Sequence, residues 1–400
     1  MHILFLLTQD LESPSGLGRY WPLARHLARL GHEIEIAALH PSWQSLETRV
    51  FLRDGVRVSY VAQMHVRREG NRQYHFNPAQ LLWVTAKATL ALAAAAITTK
   101  AEIIHVAKAQ PMNGLAGVLG GRARRGRRLY LDCDDYEAVS NRFGGAWQKD
   151  LVRWWEDRLP LAARATTVNT TFLRARCIGL GVPAERLLIV PNGFDPDRFR
   201  EQPAGAADAV RRRHGLAGNP VVLYLGSLSL TSHPVVLLLD AFATVVQKLP
   251  SARLLLVGGG EDYNAVAGAI KQRGLAAAVV MAGRVSPEDV PAMYHASDVL
   301  VDPVADDYTA RARSPLKVAE AMACGVPVVT GDVGDRAATL DGGAAGVLVR
   351  PDDARALAEG ILSVLLDAER RAQLSSAGRR ASRRLRWDSL VHDFASIYTH

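Results

Sequence analysis

Short apolar runs alternate with segments of helical periodicity along almost the whole chain, and this alternation is the strongest constraint on its fold. The first half runs Ile3–Leu7, a helical pattern from about Gly18 to Leu30, His32–Leu39, Val56–Val61, a helical pattern near Ala79–Ile97, Ile103–Val106, another helix and Leu129–Leu131. The second half repeats the rhythm with Val221–Leu225, a helix near Val235–Gln247, Leu254–Val257, a helix near Tyr263–Arg273, Val279–Met281, Val299–Val301, a helix from Pro315 to Ala323 and Val326–Val329. Strands separated by crossover helices lie parallel, so an α/β architecture of two doubly wound parallel sheets is expected. At 400 residues the chain exceeds one ordinary core and suits two. The turn-rich stretch from Pro191 and the Ala/Gly/Pro-containing segment 202–210 place the boundary near residue 200. The expected units are residues 1–200, residues 201–385, and a terminal helix over 386–400 that packs back on the first unit. Two such sheets facing each other leave a cleft beyond their strand ends, where ligands bind.

Charge is distributed unevenly over this frame. Residues 1–190 carry 25 Lys and Arg against 16 Asp and Glu, a net of +9, whereas 191–400 carry 23 against 24, a net of −1. The densest run is Arg122, Arg124, Arg125, Arg127 and Arg128, with Arg67, Arg68 and Arg72 as a second cluster. Such runs serve either as a solvated loop or as an attraction for an anionic partner, a lipid-phosphate surface or an acidic acceptor. Nucleic acid is not expected, because no binding motif or interleaved aromatic residues accompany the arginines. Cys133, Cys177 and Cys324 are odd in number and form no CxxC pair, which fits a reducing cytoplasm, with a peripheral position at the inner membrane face implied by the basic first half. The run His2–Leu7 is too short for a signal-peptide core, and Leu81–Ile97, interrupted by Lys87 and rich in Ala and Thr, reads as a packed helix.

The most informative segment is Ser314 to Val329. Ser314 suits an N-cap and Pro315 the first turn, while Gly325 and Pro327 end the helix before a buried strand. A helix N-terminus presents free N–H groups and partial positive charge, a seat for phosphate. A lysine at position 317 opposes that dipole by about 0.3–1 kcal/mol, a sign that an anionic ligand would reverse. Glu320, one turn on, forms either an ordinary ion pair with Lys317 or an acceptor for two adjacent hydroxyls, as a ribose or sugar offers.

This segment resembles the signature region of retaining GT-B-fold glycosyltransferases of the GT4 type. The resemblance extends over nearly the whole chain: Gly16-Leu-Gly18-Arg-Tyr, Gly31-His-Glu-Ile, Pro191 to Phe199, Leu223 to Ser229, Leu255 to Gly260, Gly283-Arg-Val285 and Tyr294 to Leu300 follow in the family's order. It implies two Rossmann-like domains across a cleft and transfer, with retention, of a sugar from a nucleotide-diphosphate donor to an acceptor. Metal is not expected in such a site, and no cofactor is implied. Glu320 would hold the donor ribose, and the amides of Leu316 and Lys317 would meet the pyrophosphate. Arg284 and Val285 would present main-chain groups to the base. Gly16 and Gly18 would let the first loop approach donor or acceptor, or would simply make a strand-to-helix turn.

The chain departs from the family pattern at three places. The first glutamate of the usual pair falls at Ala312. The usual arginine after Gly226 is Ser227, and the usual lysine falls near Ser232 or His233. Positive charge for the diphosphate is therefore expected from Lys317 with Arg313 or Arg311. His105, where relatives often carry a catalytic or acceptor-side histidine, is equally compatible with a packed core position. Asp132-Cys-Asp134-Asp135 is expected to position an acceptor or cap local backbone. The glycines do not make a dinucleotide fingerprint, since Trp21 stands in the third position, and neither a P-loop nor a GxSxG elbow is present. An epimerase of the same fold, a non-catalytic nucleotide-sugar-binding protein and a pyridoxal-dependent phosphorylase stay open as alternatives.

Overall fold

The computed structural model describes residues 1–69, 72–200, 202–231 and 233–399, leaving Ser232 outside the described residues. The amino-terminal unit is built on an eight-stranded sheet. Its strands are β1 (His2–Leu7), β2 (Glu33–His40), β3 (Val50–Arg53), β4 (Val56–Gln63), β7 (Ile103–Ala107), β8 (Arg128–Cys133), β9 (Thr166–Val168) and β10 (Leu187–Ile189), with a separate hairpin of β5 (Val66–Glu69) and β6 (Arg72–His75). The order is β10-β9-β8-β7-β1-β2-β4-β3, and every pairing is parallel except β3 with β4. The second unit holds β11 (Val221–Leu225), β12 (Arg253–Val257), β13 (Val279–Gly283), β14 (Val299–Asp302), β15 (Val328–Gly331) and β16 (Val347–Val349) in the all-parallel order β13-β12-β11-β14-β15-β16. Two doubly wound sheets result, with helices on both faces of each.

Strand β3 and the β5–β6 hairpin were not expected. Strand β3 is a mostly exposed edge strand, and the hairpin carries Arg67, Arg68 and Arg72 in its sequence, so neither shows the run of buried apolar residues that marks a central parallel strand. The first helix also begins later than expected. Gly16–Tyr20 forms a wide turn in which the Trp21 N–H reaches the Gly16 carbonyl, and the α-helix proper is Trp21–Arg29. The Pro78–Thr98 helix is a packed helix on one side only: Ala88, Leu92, Ala93 and Ala96 are buried, while Leu82, Trp83 and Leu90 are more than 60% exposed.

The last residues return to the first unit. Trp387, Leu390, Val391, Phe394, Ile397 and Tyr398 are buried with Phe5, Tyr20, Leu23 and Tyr130 in one apolar cluster, although they follow the second sheet in sequence. The indole N–H of Trp387 donates to the Gly18 carbonyl at 2.7 Å, which fastens this terminal helix to the wide turn.

The same turn buries a charge. Arg19 has no exposed side-chain surface, yet its Nε and Nη2 donate to the two oxygens of Asp132 at 2.7 and 2.6 Å, and its Nη1 donates to Val190 O at 3.2 Å and Asn192 Oδ1 at 2.9 Å. Asp132 also accepts from Tyr20 Oη and Thr167 Oγ1. Burial opposes ionisation of this carboxylate, but the guanidinium outweighs it and holds Asp132 below the usual carboxylate range. The pair is fully hydrogen-bonded, the condition under which a buried ion pair is tolerated. Asp132→Asn should cost about 3–5 kcal/mol, because it strands a buried guanidinium. Adding Arg19→Met should recover much of the loss, so urea midpoints of the two single variants and the double variant should be non-additive; additive losses would show that the two groups are not coupled.

Candidate active site

The cleft side of the second unit is formed where β11 and β14 end beside the start of the Leu316–Cys324 helix. The helix begins one residue later than expected, with Pro315 at the N-cap position and no side-chain cap hydrogen bond. Ser314, the expected cap, is engaged elsewhere: its hydroxyl accepts the Asn192 N–H at 3.0 Å, and its carbonyl accepts Asn192 Nδ2 at 2.8 Å. Asn192 belongs to the connection between the units, so this helix is pinned to the linker, and the N–H groups of Leu316 and Lys317 in its first turn are left to the cleft.

Lys317 extends from that first turn and is buried. Its Nζ lies 3.2 Å from Asp302 Oδ1 at the end of β14, and 4.5 Å from the centre of the Tyr224 ring. At 3.2 Å the contact is longer than charge-assisted hydrogen bonds usually are, so the three-donor ammonium is incompletely hydrogen-bonded. A side chain at Gly226 would meet this ammonium at 3.2 Å, which places the charge at the end of β11. Asp302 is shared with Arg336, whose Nε and Nη2 both approach Oδ2 at 3.1 Å. The two cations overcome burial and hold Asp302 well below the carboxylate range, whereas burial is the largest influence on Lys317 and lowers it. The lysine therefore has an internal counterion that its sequence neighbourhood does not show. Its position against the helix dipole does not by itself demand an external anion, contrary to the expectation from sequence.

Glu320 does not pair with Lys317. Its Oε2 accepts the Tyr294 hydroxyl at 2.7 Å, and its Oε1 lies 3.6 Å from Arg198 Nη1, a residue of the interdomain connection. His233 and Arg313 meet at 3.3 Å and line, with Asp302, Thr231 and Arg336, a cavity of about 210 Å³. Burial first, then Arg313 and Lys317, push His233 well below its usual range, so it is neutral, with Nδ1 accepting from the Arg313 guanidinium and Nε2–H left to donate. Arg313 also lies 3.6 Å from Asp135 of the first unit. Arg311 faces away and is bonded to Asp306 at 2.7 and 2.9 Å, which removes it from the expected cationic set. Ser227 gives its carbonyl to Tyr224 Oη at 2.8 Å, and Arg284 and Val285 follow the end of β13, where the Arg284 guanidinium feels Arg68 and Asp10 across the cleft. Ala312, at the position of the missing glutamate, is fully buried among apolar side chains of the first unit.

On the opposite wall Gly16 and Gly18 are both required by close approach. A Cβ at Gly16 would strike the Asp10 carbonyl, and one at Gly18 would lie 2.6 Å from Leu316 Cδ1. What approaches Gly18 is thus the first residue of the opposing helix, so this glycine sets how near the two units come. The acidic run beside it is partly balanced by protein cations: Arg19 pairs with Asp132, and Lys108 Nζ lies 3.6, 2.8 and 3.0 Å from Asp134, Asp135 and Glu137. Lys108 holds φ of +67°, fixed by its N–H to Asp132 O at 2.8 Å. Asp10, Glu12 and His40 each bring a ligand atom within 4.8 Å of the others at the ends of β1 and β2, a grouping with no signature in the sequence.

His105 is corrected by register. It stands opposite Phe5 on β1 and Tyr130 on β8, and the three rings share the sheet face that the terminal helix covers. The Tyr398 hydroxyl lies 2.8 Å from His105 Nδ1, the side chain has no exposed surface, and burial lowers it to about 4. It is a core residue and not part of the cleft. The charged residue at this strand end is Lys108, three residues later, which is paired with the acidic run.

The chain matches the family described as Glycosyl transferase 4-like domain over residues 15–193 and that described as Glycosyl transferases group 1 over residues 207–381. It is 30% identical over 266 residues to the GDP-mannose-dependent alpha-(1-6)-phosphatidylinositol monomannoside mannosyltransferase of Mycolicibacterium smegmatis, covering 66% of this chain and 68% of that protein. The chain belongs to the group 1 glycosyl transferases. Other relatives align over less: the Mycobacterium tuberculosis protein of the same description is 28% identical over 58% of this chain and 60% of its own length. A D-inositol 3-phosphate glycosyltransferase of Xylanimonas cellulosilytica is 31% identical over 54% and 52%. In fold, the sucrose-phosphate synthase of Thermosynechococcus elongatus superposes with TM-score 0.77 at 20% identity over 100% of this chain and 98% of that one. Anabaena Alr3699/HepE in complex with UDP-glucose superposes with TM-score 0.73 at 20% identity over 99% of each. These likenesses show the two-domain GT-B architecture.

Because His105 is held neutral near 4 while its unfolded counterpart titrates near 6.5, the unfolded chain binds the proton first on acidification. Its contribution to stability is complete above about 6.5 and falls away as the pH drops toward 4. His105→Gln should lower stability at neutral pH, flatten part of the acid loss in Tm, and leave turnover per folded molecule unchanged. A variant that folds normally but loses turnover would restore His105 to the site.

Proposed function

We propose that the protein transfers a sugar from a nucleotide-diphosphate sugar, seated in the carboxyl-terminal unit, to an acceptor on the basic amino-terminal unit, with retention of configuration and without a metal ion. The observation that carries this reading is the uncapped start of the Leu316–Cys324 helix, which opens at the domain junction beside an incompletely hydrogen-bonded Lys317 ammonium. The N–H groups of Leu316 and Lys317 and the ammonium would meet the diphosphate, with Arg313 nearby as a second cation. Glu320 would turn from Tyr294 toward the ribose hydroxyls. Neutral His233 in the adjoining cavity would donate its Nε2–H to a hydroxyl of the donor.

Catalysis would then consist mainly of stabilising the departing diphosphate. As charge grows on the leaving oxygen, Lys317 gains an anion without a large rearrangement, since Asp302 keeps Arg336 as partner when the lysine turns. Contacts that already bridge the cleft, among them the Thr171 N–H to Asp335 at 2.8 Å and Leu316 against Gly18, would keep water from the reacting carbon. The net charge of the first unit and the phosphoinositol acceptors named for the actinobacterial relatives support an anionic, lipid-linked acceptor on the cytoplasmic side. The three cysteines, all free and buried, suit that compartment.

A thermal-shift panel of UDP-, GDP-, ADP- and dTDP-sugars identifies the donor, and calorimetry with the matching nucleoside diphosphate then tests the site. Lys317→Met should lower turnover by roughly 10²–10³-fold, the cost of one lost charge-stabilising donor, with only a few degrees lost in Tm because Arg336 still neutralises Asp302. Glu320→Gln should weaken nucleoside diphosphate binding by about tenfold or more through the ribose. Unchanged affinity and turnover in both variants would remove the assignment.

A further inference from the structure

A helix laid on a sheet ordinarily turns its large apolar side chains inward, and the Pro78–Thr98 helix does the reverse. Its buried face is mostly alanine, Ala88, Ala93 and Ala96 with Leu92, while Leu82, Trp83, Leu90 and Ile97 are 69, 63, 70 and 45% exposed. The small inner residues let the helix lie close to its neighbour, Ala96 against Gly120 of the Pro111–Arg122 helix. That helix in turn seats Gly114 against Trp155 of the Ala146–Ala162 helix. The three therefore form one layer over the same sheet face. The outer side of the second helix adds Leu115 and Leu119, and that of the third adds Trp147, Leu151, Trp154 and Leu161. Ten of the eighteen large apolar side chains exposed among the described residues lie on this one layer, far more than scattered surface residues would place there.

The charges on the layer identify what covers it. Neither of the first two helices contains an Asp or Glu. Lys87 Nζ stands 4.5 Å from the Trp83 ring and Arg158 6.0 Å from the Trp154 ring, so cations sit directly beside the exposed indoles. At the far end of the layer Arg122, Arg124 and Arg125 are exposed, and a cavity of about 300 Å³ is lined by Arg122, Arg127, Arg128 and Arg164. A second copy of this chain would bring like charges together across the contact. Apolar and indole side chains interleaved with arginine and lysine match an anionic lipid surface, where the rings occupy the headgroup boundary and the cations meet phosphate. The Pro78–Thr98 helix is long and apolar enough to cross a membrane, but its alanine face is already used on the sheet, so the helix would lie in the interface instead.

We propose that the outer surface of this three-helix layer docks the protein on an anionic phospholipid bilayer, with Trp83, Leu90 and Trp154 entering the acyl boundary and Lys87, Arg122, Arg124 and Arg125 meeting lipid phosphates. The inference does not depend on the transfer reaction, and its test uses no donor sugar. Full-length protein is floated with vesicles of phosphatidylcholine alone or of equal parts phosphatidylcholine and phosphatidylglycerol, at low and high salt. The wild type should float with the anionic vesicles, less so as salt rises. The combined Trp83→Ser, Leu90→Ser and Trp154→Ser variant should stay behind with an unchanged Tm. Arg122→Gln, Arg124→Gln and Arg125→Gln together should weaken binding on the order of a hundredfold, at roughly fivefold per charge. Should the serine variant fold poorly, the arginine variant decides alone, with quenching of wild-type tryptophan emission by brominated lipid as the second readout. A wild type that ignores anionic vesicles, variants that float like the wild type, or a dimer in light scattering that the serine substitutions dissociate would each overturn the proposal.

Discussion

The buried guanidinium of Arg19 is the constraint around which the rest is arranged. It sits in the wide turn after the first strand, and its donors are divided between Asp132 at the end of β8 and the linker at Val190 and Asn192. A charge taken fully out of water requires all these acceptors to be in place, so the switch point of the first sheet and the start of the domain connection are fixed together. Asn192 passes the constraint onward to Ser314, which sets where the Leu316–Cys324 helix begins. Trp387 closes the same turn from behind through its bond to Gly18. The geometry of the cleft wall thus descends from one ion pair in the core of the opposite domain.

The site itself is an electrostatic arrangement held in balance. Asp302 is the anion to which Lys317 and Arg336 both turn, and the lysine is the more weakly bonded of the two. A built-in carboxylate makes a buried ammonium tolerable, and Asp302 keeps Arg336 as its second cation. The coordinated departures from the family pattern, Ala312 in place of a carboxylate and Ser227 in place of arginine, fit this arrangement. Ala312 fills an apolar contact between the units, and the Lys317 ammonium stands at the end of β11 beside Gly226.

The parallel strands of both sheets and the two-domain division were legible because buried parallel strands are continuous apolar runs, which Val221–Leu225 and Leu254–Val257 show plainly. Strand β3, the β5–β6 hairpin and the three-residue strands β9, β10 and β16 were not, because edge position or length leaves too little apolar signal. Lys317 and Glu320 were found from the helix signature, but their partners were not: Asp302 and Tyr294 are brought to them by strand and helix ends remote in sequence. His105 misled for a simple reason. Strand alternation decides which face a side chain takes, and one residue earlier or later would have reversed the answer. Arg19 lay in full view within Gly16-Leu-Gly18-Arg-Tyr, yet nothing local reveals that its partner is 113 positions away.

The exposed apolar layer was likewise half legible. The Ala and Thr content of Leu81–Ile97 correctly signals a helix that packs, yet it does not say which side packs. The structure shows alanine inward and Leu and Trp outward, with the densest basic run of the first unit, Arg122 to Arg128, at one end of the same surface. The account as a whole rests on an anion meeting the opening of the Leu316–Cys324 helix. A crystal structure with the nucleoside diphosphate of the preferred donor tests this most directly. The diphosphate should lie within hydrogen-bond reach of the Leu316 and Lys317 amides, with the Lys317 ammonium turned from Asp302 toward it. A nucleotide bound elsewhere, with Lys317 still on Asp302, would contradict the account.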